Sequence, residues 1–176
     1  MIWVQIVIFG LGSTFLAVYS WPSLRDHRSH GFYRFFGWMY ILAVIALNLP
    51  SWFERPLAIQ QLISWTLLVG SIGLALHGFR LLKRIGQPEG EFERTTRLVT
   101  AGAYRYIRHP LYASLLLLDW GAFLKDPSWA GAALALAASL FLYLTARVEE
   151  QENLARFGEA YREYMQWTKM FIPFLL

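Results

Sequence analysis

The sequence predicts an all-α protein: a polytopic membrane helical bundle of about five transmembrane helices with a cytoplasmic C-terminal amphipathic helix. Three observations carry that expectation. Of the 176 residues, 56% are hydrophobic and 16% charged, against roughly 25% charged in an ordinary soluble domain. The apolar residues stand in five runs, the first three near or above the roughly 20 residues needed to cross the hydrocarbon. The basic residues lie between those runs. Lipid offers no partner to an open strand edge, so the runs read as helices.

The first run is about Ile2–Tyr19 and ends at Ser20-Trp21-Pro22. Its start lacks the basic residues of a cleavable leader, so it is expected to stay as a helix. The second is about Phe35–Trp52 and the third about Leu57–Leu82. The fourth, Leu111–Leu124, is short for a span and stops at Lys125-Asp126-Pro127. The fifth, Ser128–Thr145, is rich in Ala and Leu; together the two form a helical hairpin around a tight Lys-Asp-Pro turn. The chain is read as one integral membrane domain. Its N-terminal three helices occupy 1–82; a loop, the hairpin and a C-terminal helix occupy 83–176.

The polar pieces follow the third and fifth runs. The loop Lys83–Pro110 contains Gly86, Pro88, Gly90 and Gly102. Past the fifth run, Leu154, Phe157, Tyr161 and Tyr164 recur at spacings of three and four, which predicts one face of an amphipathic helix. The apolar tail Met170–Leu176 is expected to fold back onto the membrane.

Charge sets the orientation. Fourteen of the sixteen basic residues fall on one side: Arg25, Arg28 and Arg34, then Arg80, Lys83, Arg84, Arg94, Arg97, Arg105 and Arg108, then Arg147, Arg156, Arg162 and Lys169. Arg55 and Lys125 fall on the other. The positive-inside rule places the first set, the C-terminus and the polar loop in the cytoplasm, and the N-terminus outside it. A net charge of +4 is accounted for by these loops and does not call for nucleic acid.

Several chemistries are excluded. Without cysteine there is no disulfide scaffold, thiolate zinc site, iron–sulfur cluster or cysteine nucleophile. Soluble nucleotide loops, H-E-x-x-H and G-x-S-x-G are missing, and His27 and His30 have no convincing companions for a metal.

Two clusters remain. One is Leu98-Val99-Thr100-Ala101-Gly102-Ala103-Tyr104-Arg105-Tyr106-Ile107-Arg108-His109-Pro110-Leu111-Tyr112. Pro110 stands where a helix starts, where its missing N–H costs nothing. The N–H groups of that first turn suit an anion such as a ligand carboxylate. The other cluster is Glu149-Glu150, suited to an ammonium. Asp119 inside the fourth run and His77 near the end of the third are intramembrane ionisable residues, which are functional candidates by default. Membrane anchoring for the arginines and a solvated helix surface for the glutamates are the plainer alternatives.

The string LVTAGAYRYIRHPLY, followed after a hairpin by EEQENLARFGEAYREY and a late FIP, resembles the isoprenylcysteine carboxyl methyltransferase family. The phospholipid N-methyltransferases share the pattern. The resemblance covers about Thr96 to Pro173. It implies a methyltransferase with S-adenosylmethionine as cofactor and a lipid-like or prenylated small acceptor, methylated on oxygen or nitrogen. By position it implies that Thr96, Arg97, Leu98, Val99 and Tyr104 line the cofactor. His109, Pro110, Leu111 and Tyr112 hold it at the start of the fourth helix, and Glu149 takes its ammonium. Arg108 and Glu150 are the expected catalytic residues; Arg147 and Asp119 are expected on the acceptor side.

Two departures bear on the acceptor. Prenylcysteine enzymes have a His where this chain has Thr96, and an Arg where it has Thr145. The sterol reductases are similar in their last helices and their Arg-His element, which implies a reduced nicotinamide cofactor as the alternative; a non-enzymatic protein of the same fold is the third reading. The paired Glu followed by Phe157-Gly158 favours the methyltransferase.

Overall fold

The computed structural model describes residues 1–54, 56–88 and 95–175. Arg55, Gly90, Arg94 and Leu176, named above, lie outside the described residues. The helices are α1 (Ile2–Leu24), α2 (His30–Asn48), α3 (Ile59–Leu81), α4 (Pro110–Phe123), α5 (Trp129–Phe157) and α6 (Glu159–Trp167). A 3-10 turn, Leu49–Ser51, extends α2, and a π turn, Leu82–Gly86, extends α3. A second 3-10 turn covers Gly102–Arg105. Among the described residues, four segments are long and apolar enough to cross a membrane: Ile2–Leu24, His30–Ser51, Ile59–Gly86 and Trp129–Phe157. Pro110–Phe123 is shorter, about 21 Å at 1.5 Å per residue. The all-helical bundle expected from the five runs is the architecture observed.

Three boundaries differ from expectation. α1 runs through Pro22 to Leu24. Pro22 stands in the last turn, where its missing N–H removes a single bond and the helix needs no further extension. α5 does not stop at Thr145 but continues for twelve residues to Phe157. The stretch from Ala146 onward is built from good helix formers, and a helix need not end where the apolar run does. The single amphipathic helix expected across Leu154–Tyr164 is two helices, broken at Gly158. That residue has φ +59°, a conformation glycine adopts without a Cβ penalty. Tyr161 and Tyr164 form the buried face of α6.

The chain divides into two compact units, Met1–Val69 with Leu116–Glu149, and Gly70–Leu115 with Glu150–Leu176. In the first, Val44, Ala122 and Ala135 are fully buried, with Ile45, Trp52, Trp120, Phe123 and Leu134 packed on them. Small residues permit this approach: a Cβ on Gly37 would meet Leu142 at 3.3 Å. Close backbone contact of this kind is how helices associate where lipid removes the hydrophobic drive.

The short α4 ends inside this unit, so its last carbonyls need donors. Side chains from α2 and α3 supply them. Ser64 Oγ donates to Gly121 O at 2.6 Å. Asn48 Nδ2 donates to Ala122 O at 2.9 Å and to Phe123 O at 3.2 Å. Gln60 reaches Leu124 O at 2.7 Å, and Gln61 reaches Lys125 O at 3.0 Å. Lys125 is not the exposed loop charge its position suggests but is 2% exposed. Its Nζ donates to Gln61 Oε1 at 3.0 Å and lies 3.7 Å from the Trp65 ring centroid. Cation–π attraction and the negative end of α4 stabilise the ammonium there, while burial lowers its pKa from the ordinary lysine value.

Candidate functional site

The candidate site belongs to the second unit and is built on the stretch before α4. α3 closes on it from one side. A Cβ on Gly78 would stand 3.1 Å from Leu111 and 3.6 Å from Pro110, and Ser71 Oγ donates to Ser114 O at 2.7 Å. At Gly86 the carbonyl accepts from Thr96 N–H at 2.9 Å and Arg97 N–H at 3.2 Å. This pins the chain as it returns toward α4. Thr96 and Arg97 are exposed, Leu98 half-buried and Val99 buried.

The tail closes on the same stretch from the other side. Ile107 and Lys169 form a parallel bridge. Lys169 N–H donates to Tyr106 O at 3.2 Å, Arg108 N–H to Lys169 O at 2.7 Å, and His109 N–H to Met170 O at 3.1 Å. Tyr164 Oη donates to Tyr104 O at 2.6 Å. The apolar tail therefore completes the site rather than serving only the membrane surface.

Arg108 is the hub. Its Nε donates to Glu150 Oε1 at 2.6 Å. One terminal nitrogen donates to Thr168 O and reaches Met165 O at 3.5 Å. The planar fork thus pairs with a carboxylate on α5 and caps the last carbonyls of α6. The pair is largely buried, at 10% and 7% side-chain exposure. His109 Nε2 lies 3.5 Å from Glu150 Oε1. The His109 ring stacks on Tyr112 at 5.5 Å and meets Phe171 at 6.1 Å. Burial pushes the Tyr164 phenol pKa up, and the nearby Arg108 charge offsets part of that.

The residues expected for the site are thus partly gathered. Tyr104, Arg108, His109, Pro110, Leu111, Tyr112 and Glu150 share this unit with the Thr96–Val99 loop. Glu149, Arg147 and Asp119 belong to the first unit. Glu149 is half-buried. Arg147 is exposed and donates to the Tyr143 hydroxyl at 3.1 Å. Asp119 is fully buried, and neither carboxylate oxygen has a hydrogen-bond partner among the described residues. Sequence reasoning missed Thr168, whose carbonyl takes the Arg108 fork, and the Lys169–Met170 pairing. Neither belongs to a periodic pattern or a charged motif, so no local signal marked them.

α4 starts at Pro110, and Ala113 N–H donates to His109 O at 2.9 Å. The N–H of Leu111 precedes that first intrahelical bond. In the same unit stand the stacked rings of His109 and Tyr112 and the Glu150 carboxylate.

Membrane-length helices, with a charged, aromatic-lined cluster at the start of the shorter apolar helix α4, define an integral membrane helical protein. The phospholipid methyltransferase family profile matches residues 59–160, more than half of the chain, and the chain belongs to that family. Methanethiol S-methyltransferase 1 of Bradyrhizobium diazoefficiens is 30% identical over 79 residues, 44% of this chain and 26% of that protein. Methanethiol S-methyltransferase of Crocosphaera subtropica is 32% identical over 78 residues, 43% of this chain and 29% of that protein. The Pseudomonas deceptionensis enzyme of the same name is 28% identical over 72 residues, 41% and 27% of the two chains. The matched stretch thus spans under a third of these relatives. No solved structure matches the chain.

Proposed function

We propose that the chain is an integral membrane methyltransferase that uses S-adenosylmethionine, with the C-terminus and cofactor site in the cytoplasm and the N-terminus outside it. The observation that carries the reading is the Arg108–Glu150–His109 cluster at the first turn of α4, closed by the tail. The donor set fits the cofactor. Leu111, Tyr112 and the positive end of α4 face its carboxylate. Glu149, beside Glu150, takes its ammonium, a charge-assisted contact of about 1.5–3 kcal/mol. The faces of His109, Tyr112 and Phe171 suit its adenine or its sulfonium. Thr96, Arg97, Leu98, Val99 and Tyr104 complete the lining.

The bound cofactor supplies an already activated methyl group, so the protein's task is alignment. Arg108 and Glu150 were expected to be catalytic. Their geometry favours a holding role: they fix α6 and the tail against the segment that presents His109. Arg147 and Asp119 are proposed for the acceptor. Asp119, buried without a hydrogen-bond partner among the described residues, has the stronger support of the two.

The acceptor is proposed to be a lipid-like or prenylated molecule reached from the bilayer, methylated on oxygen or nitrogen. A second reading, a small thiol, is favoured by the names of the curated relatives. Incubation with methyl-labelled cofactor separates them. Label in extracted phospholipid or prenylcysteine supports the first; labelled dimethyl sulfide from added methanethiol supports the second. No labelled product from any of the three would contradict both.

A further inference from the structure

We propose that His77 is a positioning residue for the segment that carries Arg108 and His109; its consequence for cofactor binding rests on the methyltransferase reading of that segment. The 3-10 turn Gly102–Arg105 begins after Ala101, whose side chain offers no cap. The first N–H groups of such a turn need an outside acceptor. His77, four residues before the end of α3, provides one: Ala103 N–H donates to His77 Nε2 at 3.3 Å. That nitrogen accepts only when unprotonated, which places the ring proton on Nδ1.

The fit around the ring is tight. Gly102 has φ +60°, and a Cβ there would meet His77 Nε2 at 2.6 Å and Leu81 Cδ1 at 2.7 Å. The turn can approach α3 this closely because residue 102 is glycine. The next residue on α3, Gly78, faces Pro110 and Leu111 at the other end of the segment, where an added Cβ would touch both. Two successive residues of α3 thus hold both ends of 102–111. The Tyr164 hydroxyl and the Lys169 and Met170 carbonyls hold its middle. His77 itself is exposed, so its ring is not needed to fill a core. Its bond to the turn is the feature that a substitution removes.

The test uses the purified full chain in detergent as wild type, His77→Ala and His77→Gln. Amide hydrogen exchange is read first, without cofactor. His77→Ala is expected to speed exchange across 103–109 by roughly two- to tenfold, the range of one hydrogen bond, and to leave α5 unchanged. Gln places an amide oxygen near the site of Nε2, so His77→Gln is expected to restore protection. S-adenosylmethionine affinity should fall by a similar factor in His77→Ala and recover in His77→Gln. Unchanged exchange in His77→Ala, or His77→Gln behaving like it, would overturn the proposal. So would altered exchange with unaltered affinity. A wild type that binds no cofactor would defeat the methyltransferase reading, while the exchange data would still judge His77.

Discussion

Arg108 and Glu150 stand 42 residues apart in the chain and 2.6 Å apart in the structure, Nε to Oε1. Removing one partner of such a pair leaves the other charged and largely buried, which costs roughly 3–5 kcal/mol. Glu150→Gln is therefore expected to lower the unfolding temperature in detergent clearly. Thermal scans of the variant beside wild type check this. An unfolding temperature equal to that of the wild type would mean that the pair does not hold the tail.

Asn48 offers one amide to two carbonyls at the end of α4. Asn48→Ala removes the side-chain donor from both, and Asn48 is buried, so the expected loss is about 1–3 kcal/mol. Denaturant unfolding beside Gln60→Ala, whose bond is exposed, makes the comparison. The exposed variant should lose less.

Burial raises the pKa of Tyr164 above its unfolded value of about 10. The folded state then holds a proton that the unfolded state releases, so the contribution is full below that value and declines as pH rises above it. Tyr164→Phe has no proton to release. Its stability loss relative to wild type should shrink as pH rises through 10–11, measured by thermal scans across that range. A constant difference would show that the phenol does not remain protonated against Tyr104 O.

The chain contains no cysteine, so single-cysteine labelling can read orientation without background. An impermeant maleimide on intact cells should label Asp126→Cys, in the turn between α4 and α5, and spare His27→Cys. The reverse pattern would invert the proposed topology.

Much of this was legible in the sequence. The five runs located five helices because lipid imposes one solution on any long apolar segment. Pro110 marked the start of α4 because a helix tolerates proline at its first position. What stayed hidden depends on tertiary contacts. Nothing local told that Lys125 would be buried over Trp65, since that follows from the shortness of α4 and the glutamines one helix away. The tail pairing at Lys169 and Met170 is backbone hydrogen bonding, and backbone groups are alike in every sequence. Adjacent glutamates could not be ranked by spacing; packing alone put Glu150, rather than Glu149, against Arg108.

Calorimetric titration of the wild type and Glu149→Gln with S-adenosylmethionine, beside NADPH, decides which cofactor the site takes. The wild type is expected to bind S-adenosylmethionine, Glu149→Gln to weaken this about tenfold or more, and NADPH to give no heat. A wild type that ignores S-adenosylmethionine, or prefers NADPH, would contradict the methyltransferase reading.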